Sequence, residues 1–172
     1  WSTLRSIVLQ SLEGLQYLHK QNALHRDLKP HNILAQYASH ADDGTLIVKL
    51  ADFGFCKFFG DSHSVKMTDN FRGTRAYAPP EALCSRQYSE QSDVYSWACC
   101  IAQVATGLYP KQHIAAPPPA PLSEFLPYSA TDLMQQGLKL HPWFVEIIMQ
   151  CFTFERKERP TVDQLLAEMI AN

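Results

Sequence analysis

The sequence predicts a mainly helical α+β domain, and three observations carry that reading. Apolar residues recur at helical spacing in several separate stretches, and two short strand-like runs flank a polar turn. A long aperiodic segment with several glycines and prolines then leads into the most apolar helix of the chain. The 172 residues fit one domain, 1–172, long enough to bury a core of its own.

The elements follow in order. Leu4, Ile7, Val8, Leu12, Leu15 and Leu18 alternate with Gln10, Glu13, Gln16 and Lys20, which makes an amphipathic helix ending near Asn22. A polar loop runs from Leu24 to Asn32, where Pro30 does not suit a helix interior. Ile33 to Ala35 and Thr45 to Leu50 read as two strands joined by a turn containing Asp42, Asp43 and Gly44. Asp52 to Glu81 shows little periodicity and is expected to be a long loop, a feature usually functional in compact domains. Ser92 to Thr106 is apolar almost all round and is expected to form the centre of the core, with Ser92 and Asp93 as its N-terminal signal and Gly107 as its stop. Pro117 to Pro121 reads as a stiff spacer, with a docking segment for a proline-recognising domain as the alternative. Three shorter helices are expected near Thr131–Gln136, Trp143–Phe152 and Thr161–Ile170, the last opened by a Thr161/Gln164 capping box.

Composition narrows the function classes. A formal net charge of −2 and the lack of any basic block point away from nucleic acid and from an anionic membrane surface. The five cysteines have neither metal-ligand spacing nor the even count of a disulfide framework, so they read as reduced thiols of a cytoplasmic protein, or of the cytoplasmic side of a membrane protein. The apolar run Trp97–Ala105 is too short to cross a bilayer, so no membrane insertion by this segment is expected.

The chemistry lies in an ordered set of short motifs. His25-Arg26-Asp27-Leu28-Lys29-Pro30-His31-Asn32 is followed, one strand pair later, by Asp52-Phe53-Gly54. Gly73-Thr74 through Pro79-Pro80-Glu81 comes next, then Asp93-Val94-Tyr95-Ser96-Trp97, then Arg159-Pro160. This set resembles the signature of the eukaryotic protein kinase family over nearly the whole chain. The resemblance implies the helical C-terminal lobe of such a domain, with a short β hairpin carrying the catalytic edge. It implies ATP-dependent phosphoryl transfer to a protein substrate, with magnesium, or manganese in its place, as the metal.

Physical chemistry supports the same residues. Phosphoryl transfer asks a protein mainly for positioning and charge neutralisation. Asp27, on a short loop, would accept and orient a hydroxyl proton, and Lys29 would face the dispersed phosphoryl charge. Magnesium takes oxygen ligands and keeps much of its water, so Asn32 and Asp52 suffice to hold it. By resemblance, Leu34 lies beneath the adenine ring, with a plain core role as its alternative. Arg26 would receive an activating phosphate, and His25 would stack under Phe53. Glu81 and Arg159 would form a buried ion pair, and Asp93 would accept hydrogen bonds from the catalytic-loop backbone.

Lys29 and Thr74 match the serine/threonine group of the family, since a threonine hydroxyl can bridge the catalytic Asp and Lys; the Asp93–Trp97 stretch resembles the tyrosine-kinase-like branch. Asn70 occupies the position of the common activating phosphosite, which leaves Thr68 as the candidate, with Ser64 or no site as the alternatives. Cys56 reads either as a reactive thiol near the nucleotide or as an inert small apolar residue. Pro79 and Ala98 depart from the family pattern without touching the chemistry. No Gly-rich loop, Val-Ala-Ile-Lys strand or acidic partner helix precedes Trp1, so the chain is expected to be a fragment that transfers phosphate inefficiently by itself. The rival classes are a pseudokinase scaffold, which has no physical need for a complete base and metal set, and a small-molecule kinase, which the Gly73–Glu81 segment and Arg159 oppose.

Overall fold

The computed structural model describes residues 1–38, 44–60, 64–66, 73–111, 126–135 and 140–172. The first amphipathic stretch forms α1, Ser2–Lys20, which buries Leu4, Val8, Leu12 and Leu15 in one stripe. Strand β1 (Ala23–Leu24) leads into the Leu28–Asn32 loop, whose Pro30 opens a single 3-10 turn. The hairpin is antiparallel: β2, Ile33–Tyr37, pairs with β3, Leu46–Leu50, in the register Ile33–Leu50 to Tyr37–Leu46.

Alternation along β3 gives the hairpin two faces. Val48 is buried against α1, while Ile47 and Lys49 face away with Leu34 and Gln36. Gln10 of α1 pins the strand by donating to Leu46 O and accepting from Val48 N, both at 2.8 Å. A Cβ on Gly14 would come within 3.2 Å of Leu50 Cγ, so this glycine lets the helix run close beneath the strand.

The stretch expected to be one long loop contains more structure than its periodicity suggests. Asp52 caps a 3-10 turn at Phe53–Phe55, β4 (Lys57–Phe58) pairs with β1, and β5 is Ser64–Lys66. A second 3-10 turn at Arg75–Tyr77 precedes α2, Pro80–Cys84. Strand β6, Gln87–Ser89, pairs with β5. Strands of two or three residues lack the repeats that reveal a period, and distant partners hold them in place. Thr68 and Asn70 lie outside the described residues, as do Asp42, Asp43 and the Pro117–Pro121 stretch.

Helix α3, Glu90–Thr106, is the centre of the core: Trp97, Ala98, Cys99, Cys100 and Ile101 are fully buried. Its start differs from expectation. Ser89 is the cap and Ser92 sits three residues inside, where its hydroxyl accepts from Ser89 N at 3.0 Å. The cause is β6, which keeps Ser89 extended (φ −144°, ψ 177°) directly before the helical backbone. Gly107 ends the helix at φ 74°, a left-handed conformation that favours glycine. Trp97 Nε1 donates to Ser11 Oγ of α1 at 2.9 Å, so both buried polar groups are satisfied. Helices α4 (Ala130–Gln135) and α5 (Pro142–Cys151) pack on α3, while α6 (Val162–Ala171) packs on α1 and begins with the expected Thr161/Gln164 capping box. No helix among the described residues is long and apolar enough to cross a membrane.

One ion pair ties α2 to the segment before α6. Arg159 grips Glu81 bidentately, Nη1 to Oε1 at 2.7 Å and Nη2 to Oε2 at 2.9 Å, with the guanidinium 4.9 Å from the centre of the Tyr95 ring. The Arg159 side chain is fully buried and that of Glu81 is 12% exposed, so removing either partner strands the other charge. Glu81→Ala or Arg159→Ala is expected to lower stability by roughly 3–5 kcal/mol. Lys111→Ala, which breaks the solvent-exposed pair with Asp132, is expected to cost about 1 kcal/mol or less. Denaturant melting of the three variants measures the contrast, and three equally small shifts would refute it.

Candidate functional site

The site is built where the Leu24–Asn32 loop, the two ends of the hairpin and the Gly73–Tyr77 segment meet. The hairpin register places Ile33 opposite Leu50, and Ala51 N donates to Asn32 O at 2.9 Å. Asn32 and Asp52, twenty residues apart in sequence, therefore lie at one sheet edge.

Asp27 stands at the centre, 4% exposed, and its carboxylate receives four donors. Oδ1 accepts from the backbone N and the hydroxyl of Thr74, both at 2.9 Å. Oδ2 accepts from Lys29 Nζ at 2.7 Å and from Asn32 Nδ2 at 3.4 Å. Lys29 Nζ also reaches Thr74 Oγ1 at 3.4 Å, which closes the Asp–Lys–Thr triangle expected from the sequence. A buried carboxylate is tolerated only with such partners, and four of them fix its orientation.

Asn32 is also buried, and its Nδ2 donates to Asp27 O at 2.8 Å. That bond assigns the amide nitrogen to the loop, and Oδ1 is then the atom that could hold a cation. Asp52 is exposed, in the left-handed region at φ 60°, ψ 74°, with Oδ1 accepting from Gly54 N at 3.3 Å. Among the described residues no three His, Cys, Asp or Glu side chains gather as a metal cage. One carboxylate and one amide oxygen at a solvent-accessible edge instead fit a hard cation that keeps several waters.

The supporting residues are equally specific. The His25 ring lies 5.5 Å from the Phe53 ring, centroid to centroid, at a tilt of 52°, and His25 Nε2 is 3.1 Å from Ala51 O. Leu34 is 56% exposed on the open face of the hairpin. Arg26 adopts φ 68°, strained for a side chain of its size, and its backbone N donates to Asp93 Oδ1 at 2.9 Å. His25 N donates to Asp93 Oδ2 at 2.9 Å. Two further donors to Asp93 escape sequence reasoning: His19 Nε2 at 3.0 Å and Tyr88 OH at 3.2 Å. A histidine four residues beyond Leu15, on the buried stripe of α1, was the readable sign for the first. Nothing local marks the second.

The chain matches the family model of the protein kinase domain over residues 2–170. It belongs to the protein kinase family. Among curated relatives, a dual specificity mitogen-activated protein kinase kinase of Drosophila melanogaster is 39% identical over 69% of this chain and 26% of its own length. A MAP kinase kinase of Schizosaccharomyces pombe is 31% identical over 95% of this chain and 43% of its own length. A mitogen-activated protein kinase kinase kinase of Pyricularia oryzae is 30% identical over 97% of this chain, which spans 10% of that protein. The chain thus spans less than half the length of each. Within this kinase domain the ordered motifs converge in space: Asp27, Lys29, Asn32 and Thr74 are in contact, and Asp52 shares their edge.

Cys56, two residues after Gly54, is half-buried with Sγ 3.9 Å from His25 O. Burial, reinforced by the Asp93 carboxylate, pushes its thiol up to about 11. The thiolate is the reactive form, so Cys56 is expected to resist iodoacetamide near neutral pH while the exposed Cys84 is alkylated. Mass mapping after brief labelling reads the order; Cys56 reacting first would overturn it.

Proposed function

We propose that residues 1–172 are the C-terminal lobe of a serine/threonine protein kinase domain, working in the cytoplasm or on the cytoplasmic face of a membrane protein. One observation carries the reading: a buried carboxylate, Asp27, held between a lysine and a threonine beside two oxygen donors suited to magnesium. The exposed face of the hairpin, with Leu34 and Ile47, would meet the N-terminal lobe and, through Leu34, the adenine ring.

In this reading Asp27 orients the attacking hydroxyl and takes its proton. A carboxylate already receiving four donors is better suited to orienting than to strong proton abstraction. Phosphoryl transfer tolerates that, since its transition state is loose and asks little of a base. Lys29, 2.7 Å from Asp27, offers positive charge to the transferred group. Asn32 Oδ1 and the Asp52 carboxylate would hold magnesium, which supplies charge neutralisation at the phosphates of ATP. Thr74 anchors the peptide-side segment to Asp27, and its bridging hydroxyl supports serine and threonine as acceptors. Arg26 would meet an anion arriving with the activation segment, for which a phosphate on Thr68 is the candidate.

Full-length protein bearing Asp27→Asn is expected to lose about 10²–10⁴ in kcat for transfer from ATP and magnesium to a generic protein substrate, with KM for ATP little changed. Phosphoamino-acid analysis of the product is expected to return serine and threonine. Tyrosine in comparable amount would instead match the dual specificity of the Drosophila relative. Equal incorporation by wild type and Asp27→Asn would remove Asp27 from the chemistry.

A further inference from the structure

The two oxygens of the Asp27 carboxylate face different neighbours. Oδ2 accepts from Lys29 and Asn32, the side on which a metal and a nucleotide would lie. Oδ1 accepts from the backbone N and the hydroxyl of Thr74, both at 2.9 Å. In the kinase reading an acceptor peptide lies on this second side, along the Gly73–Tyr77 segment. The residue after Thr74 is Arg75, which opens the Arg75–Tyr77 turn with its side chain exposed. Among the described residues its guanidinium has no hydrogen-bond or ion-pair partner; only its backbone O is engaged, by Ala78 N.

The charge around that segment has one sign. In the described stretches that build the site, 23–37, 44–60, 64–66 and 73–79, the basic side chains are Arg26, Lys29, Lys49, Lys57, Lys66 and Arg75. The carboxylates of the same stretches are Asp27 and Asp52 alone. Asp27 is matched by Lys29 at 2.7 Å, and Asp52 belongs to the proposed metal site. The other described carboxylates fall on the helices and on the turn before α6, and Glu81, the nearest in sequence to Arg75, is committed to Arg159. A surface with this imbalance attracts anionic partners and repels cationic ones.

Geometry narrows where the anion must be. Neighbouring Cα atoms are about 3.8 Å apart and an extended peptide advances about 3.3 Å per residue, so Arg75 addresses positions within about three residues of the acceptor. A carboxylate offers two coplanar oxygens, which the guanidinium fork can take together.

We propose that the domain selects acidic peptides, with aspartate or glutamate close to the acceptor serine or threonine, and that Arg75 reads them. Arg75 acts here on specificity and takes no part in the chemistry. The place of the acceptor rests on the kinase reading; the preference itself is a matter of binding.

The test is fluorescence anisotropy of three labelled peptides on full-length protein at low ionic strength. Each carries a central serine, and the three residues on either side of it alternate alanine with aspartate, asparagine or lysine. The aspartate peptide is expected to bind about three- to fivefold tighter than the asparagine one, and the lysine peptide weakest. Arg75→Glu is expected to abolish or invert that order, while Arg75→Lys, which keeps the charge, retains it by a smaller margin. Neither substitution removes a hydrogen bond or ion pair of the fold among the described residues. Equal behaviour of the three peptides, whether all bind or none does, overturns the proposal. So does an aspartate preference undiminished in Arg75→Glu. These measurements need no phosphoryl transfer, so failure here is distinct from failure of the kinase reading, which the Asp27→Asn comparison decides.

Discussion

The carboxylate of Asp93 is fully buried at the start of the core helix, and four donors from three parts of the chain converge on it: His19 from α1, the adjacent backbone amides of His25 and Arg26, and Tyr88 from β6. An unpartnered charge in that position would cost several kcal/mol, so the loop is held as firmly as the carboxylate is solvated. The consequence reaches the site directly. Arg26 is kept at a left-handed φ of 68°, which turns the chain so that Asp27 follows with its carboxylate toward Lys29 and Thr74. The position of the proposed base is thus set by a residue that would never touch substrate.

Asp93 does not act alone at that helix start. Gln91 O accepts from Arg159 Nη1 at 3.1 Å, and Ser92 Oγ donates to Glu81 Oε1 at 2.7 Å. Three consecutive residues, 91 to 93, therefore fasten the segment before α6, the head of α2 and the loop that carries Asp27. Both carboxylates involved, Glu81 and Asp93, lie near the positive end of the α3 dipole, which favours their charge there. Because α3 is buried along nearly its whole length, this anchor belongs to the densely packed core. Functional loops placed by a rigid scaffold need such a point, since loop backbones have few partners of their own.

What was legible in the sequence follows from how local each cause is. The stripe of α1, the two strands of the hairpin, the Gly107 stop and the Thr161/Gln164 box depend on neighbours within a few residues, and all were expected from the sequence. The site residues were legible for another reason: Asp27, Asn32, Asp52 and Thr74 sit in motifs whose order recurs across a family. The start of α3 was misread because the extended backbone of Ser89 is imposed by pairing of β6 with β5, not by the residues that follow it. Strands β4 and β5 were invisible for the same reason, being too short to show a period and stabilised by partners far away in sequence. Tyr88 gave no sign at all, since a tyrosine in a short strand carries no local mark of the carboxylate its hydroxyl will meet.

The two halves of the site differ in how they are stabilised, and the difference bears on function. Asp27 and the Asp93 anchor are buried and bonded within the domain, so the proposed base and its loop are preorganised without any ligand. Asp52 and Phe53 are exposed, and Asp52 is held by one 3.3 Å hydrogen bond while its backbone occupies a costly left-handed conformation. A residue in that state gains most from a cation that binds its carboxylate and from apolar surface that covers the neighbouring phenylalanine. Preorganisation therefore belongs to the residues that would orient the hydroxyl. Completion by other parts of the assembly belongs to those that would hold the metal and the nucleotide, and that division lets one rigid scaffold support a site whose activity can be switched.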